Sequence, residues 1–341
     1  MEEFLRRETE GLVKSWMQHG DAMLRDYLVA DVEEPRLNVQ SILTRHFLIE
    51  AIFGQRFAEL SEHELRFSSV MNWLLELVKK SASAEEFQAI HYALRQRADN
   101  AEGLEIPQFV TRTFADLPAA AGELTVPHYL DTVLEHQSFP RSHPGLPEAS
   151  LSTFQLLWRK ALEAEQSPRL SVLESACGSA NDYRFLDAFG LARLLDYTGF
   201  DLCEKNIRNA KTMFPSARFQ VGNVFDLDAP DKAFDYFFVH DLFEHLSLAG
   251  LEIAIAESCR VTRAGMCAGF FNMHEGKDHI VRPVDDYHWN GLSLVRTKEL
   301  FERADFAVQT VHIATFLKWR LACDQTHNQN AYTFLARRVG T

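Results

Sequence analysis

What this chain lacks narrows its class first. It has no run of 18 apolar residues, so no membrane-spanning helix and no membrane partner are expected. The start, Met1-Glu2-Glu3, is acidic and leads directly into a helical pattern, which does not read as a secretory leader. The five cysteines (Cys177, Cys203, Cys259, Cys267 and Cys323) form no Cys-x-x-Cys pair and are odd in number. They read as buried thiols of a reducing, cytoplasmic protein, not as a disulfide framework. Basic residues are also short, 35 against 48 acids, for a formal charge of −13. An enzyme of DNA or RNA would carry a basic stripe, and none stands out, so no nucleic-acid partner is expected. The acidic balance points instead to small-molecule substrates.

Proline is sparse before residue 127, with only Pro35, Pro107 and Pro118. That stretch reads as helical. Apolar side chains recur at helical steps over Leu5, Leu12, Trp16, Met23 and Tyr27, and again over Val39, Ile42, Leu43, Phe47 and Phe53. Leu65, Val70, Met71, Leu74, Leu77 and Val78 continue the pattern, and Phe87, Ile90 and Leu94 mark another helix. Pro127, Pro140, Pro144 and Pro147 then bracket a short helix around Tyr129 to His136, and 139–145 reads as a connection. The chain therefore divides into a helical domain (1–150) and a second domain (151–341). A homodimer through the long helices is one further expectation.

From residue 151 on, strands and helices alternate, the pattern of an α/β fold with a mostly parallel sheet. Seven strands are expected: Leu170–Glu174, Leu195–Phe200, Arg218–Val221, Tyr236–Val239, Met266–Asn272, Val308–His312 and Tyr332–Arg337. In open α/β sheets, ligands bind beyond the carboxyl ends of the strands. That rule places Glu174, Asp201, Asn223 and His240 on one rim, with the N-terminal domain as a cap over it.

The richest motif is Val172-Leu173-Glu174-Ser175-Ala176-Cys177-Gly178-Ser179-Ala180-Asn181. An apolar strand ends in an acid, turns through small residues and opens a helix, which lets backbone N–H groups approach a ligand. A second strand, Tyr197-Thr198-Gly199-Phe200-Asp201, ends in an acid placed to accept bonds from ribose hydroxyls. This half, from about residue 168, resembles a class I S-adenosylmethionine methyltransferase. Such enzymes usually carry an acid followed by Gly-x-Gly-x-Gly; here Ala176, Gly178 and Ala180 stand in that series. Phe219 to Val224 resembles the third strand and its adenine-contacting turn, and Leu242-Phe243-Glu244-His245-Leu246 resembles the Glu-His-Leu segment after the fourth. The resemblance implies a Rossmann-like seven-stranded sheet closed by an antiparallel last strand. It also implies S-adenosylmethionine as cofactor, held by Glu174, Ala176, Gly178, Asp201, Asn223, Val224 and His240. A dinucleotide-binding Rossmann domain is the competing reading of the same loop.

Five of the 14 histidines fall between residues 240 and 288. His245, His274 and His288 stand at or near strand ends, and their convergence would make a site for Zn²⁺ or another divalent ion. His279 and His240 are the substitutes. The plainer reading is a metal-free pocket in which one histidine caps the turn or lines the substrate site. A helical N-terminal domain joined to a histidine-rich methyltransferase domain resembles the 2-oxo acid C-methyltransferases of the 5-guanidino-2-oxopentanoate type. That resemblance implies a metal on the three histidines, chelation of a 2-oxo acid, and proton removal from its β-carbon by His240 or Glu244. The alternatives are a metal-independent O- or N-methyltransferase of a small phenol or amine, and a non-catalytic S-adenosylmethionine-binding protein. Small-RNA 3′-end methyltransferases share an acid-x-x-Glu-His turn, but the acidic charge argues against them. Arg45 is a possible carboxylate anchor, set against an ordinary exposed helix position.

Overall fold

Seven strands of the second half pair into one sheet. They are β1 (Leu170–Ser175), β2 (Leu195–Asp201), β3 (Arg218–Val221), β4 (Phe234–His240), β5 (Thr262–Phe270), β6 (Phe306–His312) and β7 (Tyr332–Arg338). The structure, a computed structural model, describes residues 3–18, 36–79, 85, 100–101, 104–116, 152–284, 287–324, 326 and 328–340. The order across the sheet is β6-β7-β5-β4-β1-β2-β3, and β7 alone runs antiparallel, against both β5 and β6. All seven expected strands are present, and the antiparallel closing strand is the last one, as the resemblance implied. β5 begins at Thr262 and ends at Phe270, so it sits earlier than the expected Met266–Asn272. Its first residues continue directly from the preceding helix, where the sequence offers no turn residue to mark a boundary.

Among the described residues ten α-helices follow in chain order: α1 (Glu3–Gln18), α2 (Val39–Phe53), α3 (Ala58–Lys79), α4 (Gln108–Asp116), α5 (Thr153–Glu163), α6 (Tyr183–Ala188), α7 (Glu204–Met213), α8 (Leu248–Val261), α9 (Leu294–Arg303) and α10 (Ile313–Leu321). They cover the sheet on both sides, which explains why its central strands read as nearly unbroken apolar runs. One core sets Ile42, Phe47 and Trp158 against Val172, Phe238 and Cys267. The other sets Leu251, Ile255 and Phe301 against Phe237, Met266 and Phe334. All five cysteines are free and buried, as expected. Chain order reverses between β1 and β4, so the crevice at their carboxyl ends is the switch point where such folds take ligands.

The N-terminal helices do two different jobs. α2 is capped by Asn38, whose Oδ1 accepts from the amides of Gln40 (2.8 Å) and Ser41 (3.1 Å). It packs on the sheet face over β5 and β7: Gln40 Nε2 donates to the carbonyls of Phe270 (3.2 Å) and Tyr332 (2.8 Å). Phe47 meets Tyr236 edge to face at 5.5 Å. Arg45 is neither an exposed helix position nor a substrate anchor. It is buried, and its Nη2 donates to Glu64 of α3 at 2.8 Å. His46 Nε2 and Trp158 Nε1 lie at 2.6 Å from the other oxygen of Glu64. Burial alone would push the Glu64 carboxyl up, but the Arg45 and His46 charges hold it below its ordinary value. α1, by contrast, reaches the rim. Glu8 accepts from Ser247 at the start of α8, Thr9 accepts from Asn223 after β3, and Leu5 and Leu12 pack with Val224 and Phe225. A cap over the rim is thus drawn from α1, while α2 and α3 cover the sheet face. The expected helices around Phe87 to Leu94 and Tyr129 to His136, the positions Met23 and Tyr27, and the 139–145 connection lie outside the described residues. So does the side chain of Trp16.

Candidate functional site

The loop after β1 turns by three left-handed residues in alternation: Ala176 (φ 54°), Gly178 (φ 54°) and Ala180 (φ 68°). These are the positions of the glycine series, so the loop keeps the backbone shape and carries two methyl groups in a conformation that costs a non-glycine residue about 1–2 kcal/mol. The loop is fastened to β2. The Cys177 amide donates to the Phe200 carbonyl at 3.0 Å, and the Gly178 amide donates to Asp201 Oδ2, also at 3.0 Å. Asp201 Oδ1 accepts from the Cys203 amide (2.8 Å) and from Asn206 Nδ2 (3.1 Å). Burial pushes the Asp201 carboxyl up, against the pull of these three donors. Ser175 Oγ and Asn181 Oδ1 are buried there with no hydrogen-bond partner. Small residues around two unpaired polar atoms fit a polar nucleoside such as S-adenosylmethionine, whose hydroxyl and ammonium groups are donors.

Glu174, at the end of β1, faces inward and is held by the hydroxyl of Tyr197. Burial, and then the charge of Asp182, push its carboxyl well above the ordinary range. Asn223 and Val224 lie past β3 beneath α1; Asn223 Oδ1 accepts from the Phe225 amide at 3.0 Å and Val224 is buried.

His240 does not serve as a base. Its Nδ1 lies 3.0 Å from Asp182 Oδ2, and its Nε2 lies 2.9 Å from Thr44 Oγ1 on α2. Thr44 in turn donates to the Gln40 carbonyl at 3.0 Å. Burial alone would lower the imidazole, but the Asp182 charge and hydrogen bond raise it well above its ordinary value. Burial alone would raise Asp182, but the His240 charge and hydrogen bond, together with the Arg45 and Arg184 charges, hold it below its ordinary value. The pair is an imidazolium and a carboxylate, and both ring nitrogens are spent. A base needs a free lone pair, so the assignment of His240 to proton removal is corrected.

The β4 and β5 rim is built differently. Glu244 is wholly buried in the short turn after β4. Its Oε1 accepts from the amides of Phe271 (2.7 Å) and Asn272 (3.3 Å), while Oε2 has no partner. Burial, and then the neighbouring Asp241 charge, push this carboxyl up to about 8. Enclosed and protonated at neutral pH, Glu244 clasps the exit of β5 and is no base for a substrate. His245 stands beside it. Its Nδ1 is 3.0 Å from the His288 carbonyl, so Nδ1 carries the hydrogen and Nε2 keeps the lone pair. Burial holds the imidazole below its ordinary value, hence neutral, with the His288 carbonyl pulling weakly the other way. Phe271, Tyr287 and Trp289 surround it, with ring centroids 5.4, 5.8 and 5.2 Å away.

The three expected metal ligands do not converge. Among the described residues no group of three His, Cys, Asp or Glu side chains is placed to hold one ion. His274 is consumed by its own loop: Nδ1 accepts from the Gly276 amide (3.0 Å) and Nε2 faces the Gly291 carbonyl (3.2 Å). His288 offers its backbone carbonyl to His245, and its Nδ1 is buried without a partner. The substitute His279 accepts from the Ser293 amide at 3.1 Å. A metal needs deprotonated lone pairs from separate side chains pointing at one centre, and these imidazoles satisfy backbone groups instead. The expected divalent ion, zinc included, thus has no ligand set among the described residues.

Several residues of this site escaped the sequence reading. Asp182 stands four positions past Gly178, at the start of α6, and an acid at a helix start was a usable signal. Thr44 and Tyr197 carried none, because each acts through a partner far away in the chain.

The crevice at the switch point, the loop of left-handed small residues and the acid closing β2 lie together at one end of the α/β sheet. Residues 173–268 match the family model described as a methyltransferase domain. Similar solved structures include the YcgJ protein of Bacillus subtilis (15% identity, 54% of this chain and 97% of that chain, TM-score 0.36). They also include a S-adenosylmethionine-dependent methyltransferase of Mesorhizobium loti (14% identity, 52% and 96%, TM-score 0.40) and the PH0226 protein of Pyrococcus horikoshii (17% identity, 60% and 98%, TM-score 0.39). No curated protein matches the chain. The segment similar to a methyltransferase domain runs from β1 into β5. No described helix is long and apolar enough to cross a membrane.

Proposed function

We propose that the protein transfers the methyl group of S-adenosylmethionine to an oxygen or nitrogen of a small acceptor, with His245 as the proton acceptor and without a metal. The observation that carries this reading is the neutral His245 ring, its tautomer set by the His288 carbonyl and its Nε2 without a hydrogen bond among the described residues. Donor binding is assigned to the 176–180 loop, Asp201, Asn223 and Val224, with Glu174 and the His240–Asp182 pair fixing the loop's frame. When bound, S-adenosylmethionine supplies a methyl group already activated on a positively charged sulfur. The protein then has little covalent work to do. His245 takes the acceptor's proton, the aromatic rings around it exclude water, and the two rims hold the reactants in line. Glu244 contributes by staying uncharged, so no buried anion competes with a developing negative charge on the acceptor.

This reading replaces the metal-held enolate of a 2-oxo acid, which needed three imidazoles at one point. The division at residue 150 into a helical cap and a donor domain belongs to the same proposal, with α1 as the part of the cap that meets the donor site. The test is a panel of small phenols, amines and 2-oxo acids, with and without a chelator, read by product mass. His245→Ala is expected to lower turnover about 10²–10⁴-fold, with S-adenosylmethionine affinity unchanged in calorimetry. Product that forms only with added metal, or a His245→Ala variant as active as the parent, would sink the reading.

A further inference from the structure

A second concavity lies away from the methyl-transfer rim. It has a volume of about 830 Å³, within the range that small-molecule sites occupy. α2, α3 and α10 form its walls, and the ends of β6 and β7 form its floor. No residue assigned above to the donor or the acceptor lines it among the described residues. Two features make it more than a gap between helices. The first is Trp319 of α10, which lines it and is 79% exposed, the most exposed large apolar side chain described. A solitary surface leucine needs no explanation, but a tryptophan on the wall of an open cleft is apolar area without a partner. Phe316 and Phe57 line the same space. The second is charge. The lining carries Glu50, Glu62 and Glu275, and its one arginine, Arg320, is already tied to Glu62 at 2.8 Å. Glu50 is paired with Arg337 at 3.3 Å. Glu275 is exposed and has no cationic partner among the described residues. It lines the same cleft as Tyr332, which stacks on His312 at 4.4 Å; burial and then the Glu275 charge push the Tyr332 hydroxyl up.

We propose that this cleft is a second binding site, for a small organic cation with an aromatic body: the ammonium is taken by Glu275 over the His312–Tyr332 stack, and the body lies on Trp319 and Phe316. An unpaired carboxylate next to aromatic faces favours a cation over an anion twice, by Coulomb attraction and by the negative faces of the rings. A carboxylated analogue of equal size meets the same rings and a repelling charge, so the site discriminates by sign.

The test titrates 2-phenylethylamine, with phenylacetate as the control of opposite charge, into the full chain, following tryptophan fluorescence and heat of binding. The expected result is saturable binding of the amine and at least tenfold weaker binding of phenylacetate. Glu275→Gln is expected to weaken the amine about tenfold. Trp319→Ala is expected to abolish the fluorescence change and weaken binding several-fold. Both positions are exposed, so both variants fold, and comparison with the parent's circular dichroism checks it. Absent saturation, equal affinity for the two probes, or amine binding unmoved by both substitutions would overturn the proposal.

Discussion

The two halves of the rim solve opposite problems with similar residues. On the donor half, ionisable groups are satisfied by the protein itself: Asp201 by three donors, Glu174 by Tyr197, His240 by Asp182 and Thr44. On the acceptor half, the groups are left partly open. His245 keeps one nitrogen unused, and Glu244 Oε2 and His288 Nδ1 have no partner. A nucleoside is bound by a frame that must not move, so its charges are neutralised in advance. An acceptor must exchange a proton, so at least one group there is held short of satisfaction. The same residue type, histidine, is thus a locked cation at 240 and a neutral ring at 245, and the partner at Nδ1 helps to separate them: a carboxylate in one case, a backbone carbonyl in the other.

This contrast can be broken by experiment, first on the donor half. His240→Ala leaves the partly buried Asp182 without its nearest counter-charge and frees Thr44, and it is expected to cost about 2–4 kcal/mol in denaturant unfolding. A loss under about 1 kcal/mol would mean that water replaces the imidazolium easily and that the donor half is not locked. On the acceptor half, the expected effect is smaller and depends on pH. Glu244 binds its proton up to about pH 8 when folded but releases it near 4.5 when unfolded. The folded state then binds more protons in between, so stability is fully present below the lower value and falls as pH rises through the upper one. His240, raised in the same direction, contributes the same sign. Glu244→Gln keeps the acceptor for the Phe271 and Asn272 amides and has no proton to lose. Its thermal stability is expected to fall about 2–3 kcal/mol less than the parent's between about pH 6 and pH 8. Parallel curves for the two proteins would mean that Glu244 does not titrate in that window. The smallest effect belongs to the loop. Ala176→Gly relieves a left-handed alanine but loosens the unfolded chain, for an expected net gain of about 0.5–1 kcal/mol in chemical unfolding. Destabilisation instead would show that the methyl group packs usefully in the cradle.

The strands were legible because their chemistry is local: apolar runs of five to seven residues bounded by small or polar ones, on a sheet buried on both faces. The donor loop was legible for the same reason, since left-handed turns demand small residues wherever they occur. The histidines were not. Their spacing placed His245, His274 and His288 near strand ends, but a ring that meets a backbone carbonyl and a ring that meets a metal leave the same letter in the sequence. Arg45 misled in a related way: it is a polar residue on an apolar helix, and only the folded chain sets Glu64 of α3 beside it and its guanidinium 3.9 Å from the Phe189 ring.

By itself, the order of residues determined the strands and the turn of the loop after β1, because each depends on hydrophobic period and backbone preference within a few residues; the antiparallel direction of the last strand followed from the family resemblance. Tertiary structure decided which histidine is charged, which carboxyl is neutral and that no three imidazoles meet. Those properties depend on burial and on partners far away along the chain, as Thr44 is from His240 at a separation of 196 positions, and no local pattern records them.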